Sequence, residues 1–111
     1  MSLLRTVTKQ LVCPACGVVV ADVRHRTWPV VFVLVSPEGA QLQPVSGGVL
    51  LRQVGAEPGG EDRAEFVRRH LGELLYDLRC RNGHSTLRTL PQLVRAVRRA
   101  RGRWVDLQLP G

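Results

Sequence analysis

Two short stretches hold the residues best able to do chemistry. "CPACG" places Cys13 and Cys16 three positions apart, with Gly17 directly after them. "CRNGH" places Cys80 four residues before His84, with Asn82 and Gly83 between. Thiolate and imidazole are the ligands that tetrahedral zinc takes. Two of them inside one tight turn can face a single ion, and a nearby glycine accepts the left-handed backbone that such a turn needs. A C-x-x-C pair also serves thiol–disulfide exchange, but there it opens a helix in a βαβ setting. Here "VVVADV" follows, which is strand-like. The remaining reading takes the cysteines as small apolar residues. Three cysteines do not form a complete set of disulfides.

Both stretches resemble the knuckles of a zinc ribbon or a related treble-clef-like zinc domain. The resemblance covers these turns alone. It implies that Cys13, Cys16, Cys80 and His84 surround one structural Zn2+ in a Cys3His site. The second turn is C-x3-H where the ribbon has C-x2-C. Residues 17–79 lie where a ribbon has roughly 15–20 residues, so the site becomes a clasp between distant parts of the chain. Four protein ligands close the coordination shell, which implies a structural ion rather than a catalytic one. No zinc-deaminase pattern, Ser/His/Asp arrangement, Walker loop or G-x-G-x-x-G appears, and no catalytic residue is expected. His25 is expected at the surface and His70 half-buried on a helix flank; either is a substitute ligand if His84 points away.

The elements that must position these residues follow from the patterning. Residues 8–12 and 18–23 flank the first turn as antiparallel strands, and residues 76–79 and 85–87 flank the second. Asn-Gly is a hairpin signal in its own right. "VVFVLV", then Ser-Pro-Glu-Gly, then "AQLQPV" reads as a further hairpin, and residues 49–54 as a short strand. A helix is predicted over about 61–77, with Glu61, Asp62 and Glu65 at its start and Ala64, Val67, Leu71, Leu74, Leu75 and Leu78 on one stripe. A second is predicted over about 90–101, with Thr89 and Gln92 as a capping box, Pro91 in its first turn and Gly102 beyond its end. Residues 103–109 alternate as a final strand. The expected fold is a single small α+β domain over residues 1–111: an antiparallel sheet with zinc-ribbon-like knuckles and two helices.

Charge is distributed unevenly. Of the 16 basic residues all but Lys9 are Arg, and Ile is absent, as a GC-rich coding sequence would produce. Coding bias does not segregate acids from bases, however. Residues 1–78 are balanced, and the whole net charge of +7 lies in residues 79–111, where Asp106 is the one acid. Arg95, Arg98 and Arg99 fall opposite the apolar arc of the second helix, Arg79, Arg81 and Arg88 flank the second turn, and Arg101 and Arg103 follow the helix. This pattern predicts a phosphate-binding surface for DNA or RNA, a transcription or ribosome assembly included. The alternative is a zinc-stabilised adaptor whose arginines, or whose strands in residues 30–54, meet an acidic or sheet-forming protein partner. Trp104 is expected in a core or strand-pairing role, with base stacking as the lesser reading. No apolar run approaches the roughly 18 residues of a membrane span. The first ten residues lack the apolar core of a signal peptide, so the expected location is cytoplasmic.

Overall fold

The computed structural model describes residues 7–27, 30–55 and 61–107. The chain folds as α+β, with two sheets and three helices among the described residues. In order they are β1 (Val7–Val12), β2 (Val19–Thr27), β3 (Val30–Val35), β4 (Val45–Ser46), α1 (Gly47–Gly55), α2 (Glu61–Arg69), β5 (Leu74–Arg79), β6 (Ser85–Thr89), α3 (Leu90–Arg99) and β7 (Trp104–Asp106). One sheet has the order β3-β2-β1-β7 and the other β4-β5-β6.

Both predicted hairpins around the Cys-containing turns are present. β1 pairs antiparallel with β2, from Val7 opposite His25 to Leu11 opposite Ala21, and the register shifts between Leu11 and Val12. β5 pairs antiparallel with β6, from Leu75 opposite Thr89 to Arg79 opposite Ser85. Alternation along β1 and β2 turns Leu11, Ala21 and Val23 into the core. Tyr76 and Leu78 of β5, and Cys80 just after it, face the same cluster, which Leu93 and Val97 of α3 complete together with Val105 and Leu107. The opposite side of the second sheet supplies Leu75 and Leu87 to a separate cluster with Leu50 and Val54 of α1 and Ala64 and Val67 of α2. The three-stranded sheet therefore has apolar layers on both faces, with Tyr76 and Leu78 of β5 in one and Leu75 in the other.

Four expectations are revised. Residues 49–54 are helical, not extended: Leu50, Leu51 and Val54 face inward at helical spacing while Val49, Arg52 and Gln53 face out. Ser46 opens that helix by accepting a hydrogen bond from the Val49 N–H at 3.4 Å. The helix from Glu61 ends at Arg69 instead of continuing to 77. Gly72 lies in the turn that follows, and Leu74 and Leu75 enter strand β5, where Leu75 is buried and Leu74 exposed. The return from Ser-Pro-Glu-Gly is a single bridge, Val35 to Gln41, after which β4 joins the other sheet opposite Leu74 and Leu75. The final strand does pair at a sheet edge, but it runs parallel to β1, with Gln10 opposite Trp104 and Val12 opposite Asp106.

Gly47 is a tight point. A Cβ there would lie 2.8 Å from the Leu71 Cα and carbonyl oxygen, which are backbone atoms with little freedom to move. Gly47→Ala should destabilise the protein by about 1–3 kcal/mol, the usual range for overpacking. Urea unfolding would measure it, and Gly48→Ala is the control because its Cβ meets nothing within 4 Å.

α3 follows its prediction closely. The Gln92 N–H donates to Thr89 Oγ1 at 3.2 Å and the Thr89 N–H donates to Gln92 Oε1 at 2.9 Å, a reciprocal capping box. At the other end Lys9 of β1 donates through Nζ to the Val97 and Ala100 carbonyls, at 3.0 and 2.6 Å. A cation on the last carbonyls of a helix satisfies orphan acceptors and complements the helix dipole. The basic helix is thereby tied to the same strand that leads into Cys13.

Candidate metal centre

The two turns are built alike, the first one residue longer than the second. In the first, the Cys13 N–H donates to the Val18 carbonyl and the Gly17 N–H to the Cys13 carbonyl, each at 2.8 Å. In the second, the Cys80 N–H donates to the His84 carbonyl and the Gly83 N–H to the Cys80 carbonyl, each at 3.0 Å. Gly17 has φ +75° and Gly83 φ +86°, while no described non-glycine residue has positive φ. A side chain at either position would carry the strain of the left-handed region. Each hairpin thus closes on a glycine and turns its pair of ligands toward the other hairpin.

Cys13, Cys16, Cys80 and His84 meet there. Their ligand atoms all lie within 4.8 Å of one another, and no disulfide links the thiols. Cys16 Sγ is 3.7 Å from Cys80 Sγ, and Cys80 Sγ is 3.3 Å from His84 Nδ1. Tetrahedral ligands at the usual zinc bond lengths have S···S edges of about 3.8 Å and S···N edges of about 3.5 Å. The arrangement therefore fits one four-coordinate ion. Cys13 and Cys80 are buried, Cys16 and His84 exposed, so the site lies at the boundary between core and solvent. His25 and His70 belong to other surroundings. His70 is half-buried as expected, against Phe66 with ring centroids 4.7 Å apart and hydrogen-bonded to Glu73. His25 is half-buried instead of surface-exposed, and its buried Nε2 has no described hydrogen-bond partner. Burial first, then the charges of Lys9 and Arg98, hold its pKa below the ordinary value.

The surroundings also shape the thiols. Burial pushes Cys13 up. Burial acts upward on Cys80 too, but hydrogen bonds from the His84 and Asn82 backbone and from the His84 ring outweigh it and hold the thiol below its usual value. At Cys16 a backbone hydrogen bond from Val18 and the Asn82 side chain bring the pKa down to about 6. Asn82 Nδ2 lies 3.4 Å from Cys16 Sγ, so this residue, legible in the sequence only as a turn former, also supports a ligand of the opposite hairpin. His84 moves upward, chiefly through hydrogen bonds to Cys16 and Cys80. Thiolate is the reacting form of cysteine, so a lowered pKa extends reactivity to lower pH. In metal-free protein Cys16 should be alkylated first by iodoacetamide, at a rate that rises through about pH 6. Bound metal should suppress the reaction. Peptide mapping after a pH series would read this, and equal labelling of Cys13, or a midpoint at an unperturbed thiol's pH, would contradict it.

The arginines of the C-terminal segment divide by environment. Arg95, Arg98 and Arg99 are exposed on α3, away from the buried Leu93 and Val97. Arg81, Arg101 and Arg103 are exposed in the connections. Arg79 is exposed but donates from Nε to Asp77 at 3.1 Å, so part of its charge is already balanced. Arg88 is different. Its guanidinium is half-buried and donates to the Leu107 carbonyl from Nε at 3.0 Å and to the Leu87 carbonyl at 2.7 Å, and burial lowers its pKa. It fastens the chain after β7 to β6.

Fold and site together define an α+β protein with a Cys3His cluster able to hold a metal ion. Comparison with protein-family models, with curated proteins and with solved structures returns no match. Among the described residues, no helix is long and apolar enough to cross a membrane.

Proposed function

We propose that this is a structural-zinc protein that binds nucleic acid through its basic C-terminal segment. Three thiolates and one imidazole favour zinc over the oxygen-seeking cations. A shell closed by four protein groups assigns the ion to architecture, as in the zinc ribbons that the two turns resemble. When bound, the ion would supply cross-linking between the two hairpins. The protein's own contribution is the pair of glycine turns and the N–H groups that favour thiolate.

The observation that carries the nucleic-acid reading is the exposed face of α3. Arg95, Arg98 and Arg99 project there, and among the described residues no carboxylate forms an ion pair with them. The arginines of α2 are arranged differently: Arg68 and Arg69 each lie within ion-pair distance of Glu65. Unbalanced guanidinium groups on one rigid face suit phosphate oxygens, which they can engage in pairs. The test is the salt dependence of binding to a labelled duplex, compared between the wild type and a variant with these three arginines changed to Gln. Metal analysis of protein purified without a histidine tag should accompany it and return about one zinc per chain. Failure to bind nucleic acid at physiological salt would redirect the reading to an acidic protein partner for the same face.

A further inference from the structure

β7 pairs with β1 through Gln10 opposite Trp104, Leu11 opposite Val105 and Val12 opposite Asp106, and the Gln10 N–H donates to the Arg103 carbonyl at 2.8 Å. Val105 and Leu107 are 0% and 2% exposed and fill the inward positions of this segment. Alternation then directs Trp104 to the outer face, where it is 59% exposed. Slipping the strand by one residue would bury the indole only by expelling both inward side chains. The exposure is therefore set by the register. The guanidinium carbon of Arg103 lies 5.8 Å from the centre of the Trp104 ring.

We propose that Trp104 is a stacking platform for an unpaired base, so that the basic segment takes single-stranded nucleic acid, or the single-stranded part of a structured one. This rests on the reading of that segment as a nucleic-acid surface. A large flat side chain held on paired backbone loses little freedom when a base settles on it, and stacking tolerates any base because every base has a π face. Arg103 beside the ring and Arg101, three residues before it, supply positive charge for the phosphates of the same strand. In duplex nucleic acid the base faces are already stacked on one another, so a lone exposed indole offers a duplex nothing comparable.

The experiment uses full-length, metal-loaded protein and fluorescein-labelled twelve-nucleotide adenine strands, against a twelve-base-pair duplex at equal salt. Wild type should bind the single strand more tightly. Trp104→Leu should weaken that binding by about 5- to 150-fold, the range for loss of one stacked base. Its melting temperature and its salt slope should stay unchanged, because no phosphate contact is lost. Trp104→Phe should recover most of the affinity. In a Trp28→Phe background, which leaves one indole, emission should be quenched on addition of the single strand. Unchanged affinity in Trp104→Leu, or unchanged emission, would overturn the proposal while leaving the basic surface standing if the three α3 arginines still matter. If wild type binds neither strand nor duplex, the nucleic-acid reading and this inference fall together.

Discussion

Changing Cys80 to Ser should unfold the protein or lower its melting temperature by about 15 °C or more, the shift that a loss of roughly 4 kcal/mol produces in a domain of this size. Cys80 is buried at the end of β5, and its sulfur lies 3.7 Å from Cys16 on the opposite hairpin. Structural zinc contributes about 10–16 kcal/mol of apparent binding free energy in zinc-finger peptides, against about 5–15 kcal/mol for the whole stability of an ordinary domain. The apolar clusters on either side of the three-stranded sheet keep this protein from depending wholly on the ion. Even a fraction of that figure nevertheless exceeds what a single core contact contributes. His84→Ala should be milder, since His84 is exposed and water can occupy the vacated position. Acidification should act in the same direction as the Cys change. Metal binding requires deprotonated ligands, so protons displace the ion and stability falls as pH falls. Thermal melts of metal-loaded, chelator-treated and Cys80→Ser protein would measure all of this. Identical melting curves for the loaded and stripped forms would remove zinc from the account of the fold.

Changing Arg95, Arg98 and Arg99 together to Gln should leave the melting curve nearly unmoved and flatten the slope of log K against log salt by up to about three units on duplex DNA, if each guanidinium meets one phosphate. The fold should tolerate the change because the three side chains are exposed and α3 is held by its capping box, by Lys9 and by Leu93 and Val97. A parallel triple of Arg5, Arg24 and Arg52 changes the net charge equally but comes from the balanced part of the sequence. Equal effects from the two triples would mean diffuse attraction with no localised site. A flatter slope in the α3 triple alone would locate the contact on one helix face. Arg88→Gln belongs to a different category: it should lower stability, because its guanidinium serves the Leu107 and Leu87 carbonyls.

Local chemistry makes much of this legible in the sequence. The turn around Gly17 and the turn around Gly83 depend on residues within a few positions, as does the Thr89–Gln92 box, and all three can be read from residue types and spacing alone. Sequence patterning misleads where distant parts of the chain decide. Leu74 and Leu75 extend a helical stripe from Ala64, yet strand pairing claims them, Leu74 opposite Ser46 and Leu75 opposite Val45 and Thr89, and nothing local to the α2 stretch reveals that competition. Residues 49–54 carry a weak version of both periods. The packing of Leu50 and Val54 against Ala64 and Val67 selects the helix. The parallel pairing of β7 with β1 leaves no mark in either stretch. The exposure of Trp104 and the employment of Arg88 stay hidden with it, because both depend on where the last described strand docks. The cluster of Cys13, Cys16, Cys80 and His84 is legible from spacing, while the support that Asn82 gives Cys16 emerges only when the two hairpins face each other.

That docking also bears on the order of events during synthesis. β1 leaves the ribosome ahead of the other described elements, and β2 can pair with it at once along one edge. Its other edge waits for Trp104, Val105 and Asp106, almost a hundred residues later. Until they emerge, Leu11 lacks its inward neighbour Val105, and Cys13 and Cys16 have neither Cys80 nor His84 beside them. Contacts of such long sequence separation close slowly, and unpaired strand edges are exposed to association in the meantime. The nascent chain thus passes through an extended interval with a half-built Cys3His cluster and an open strand edge, and the same late segment that carries the arginines completes them both.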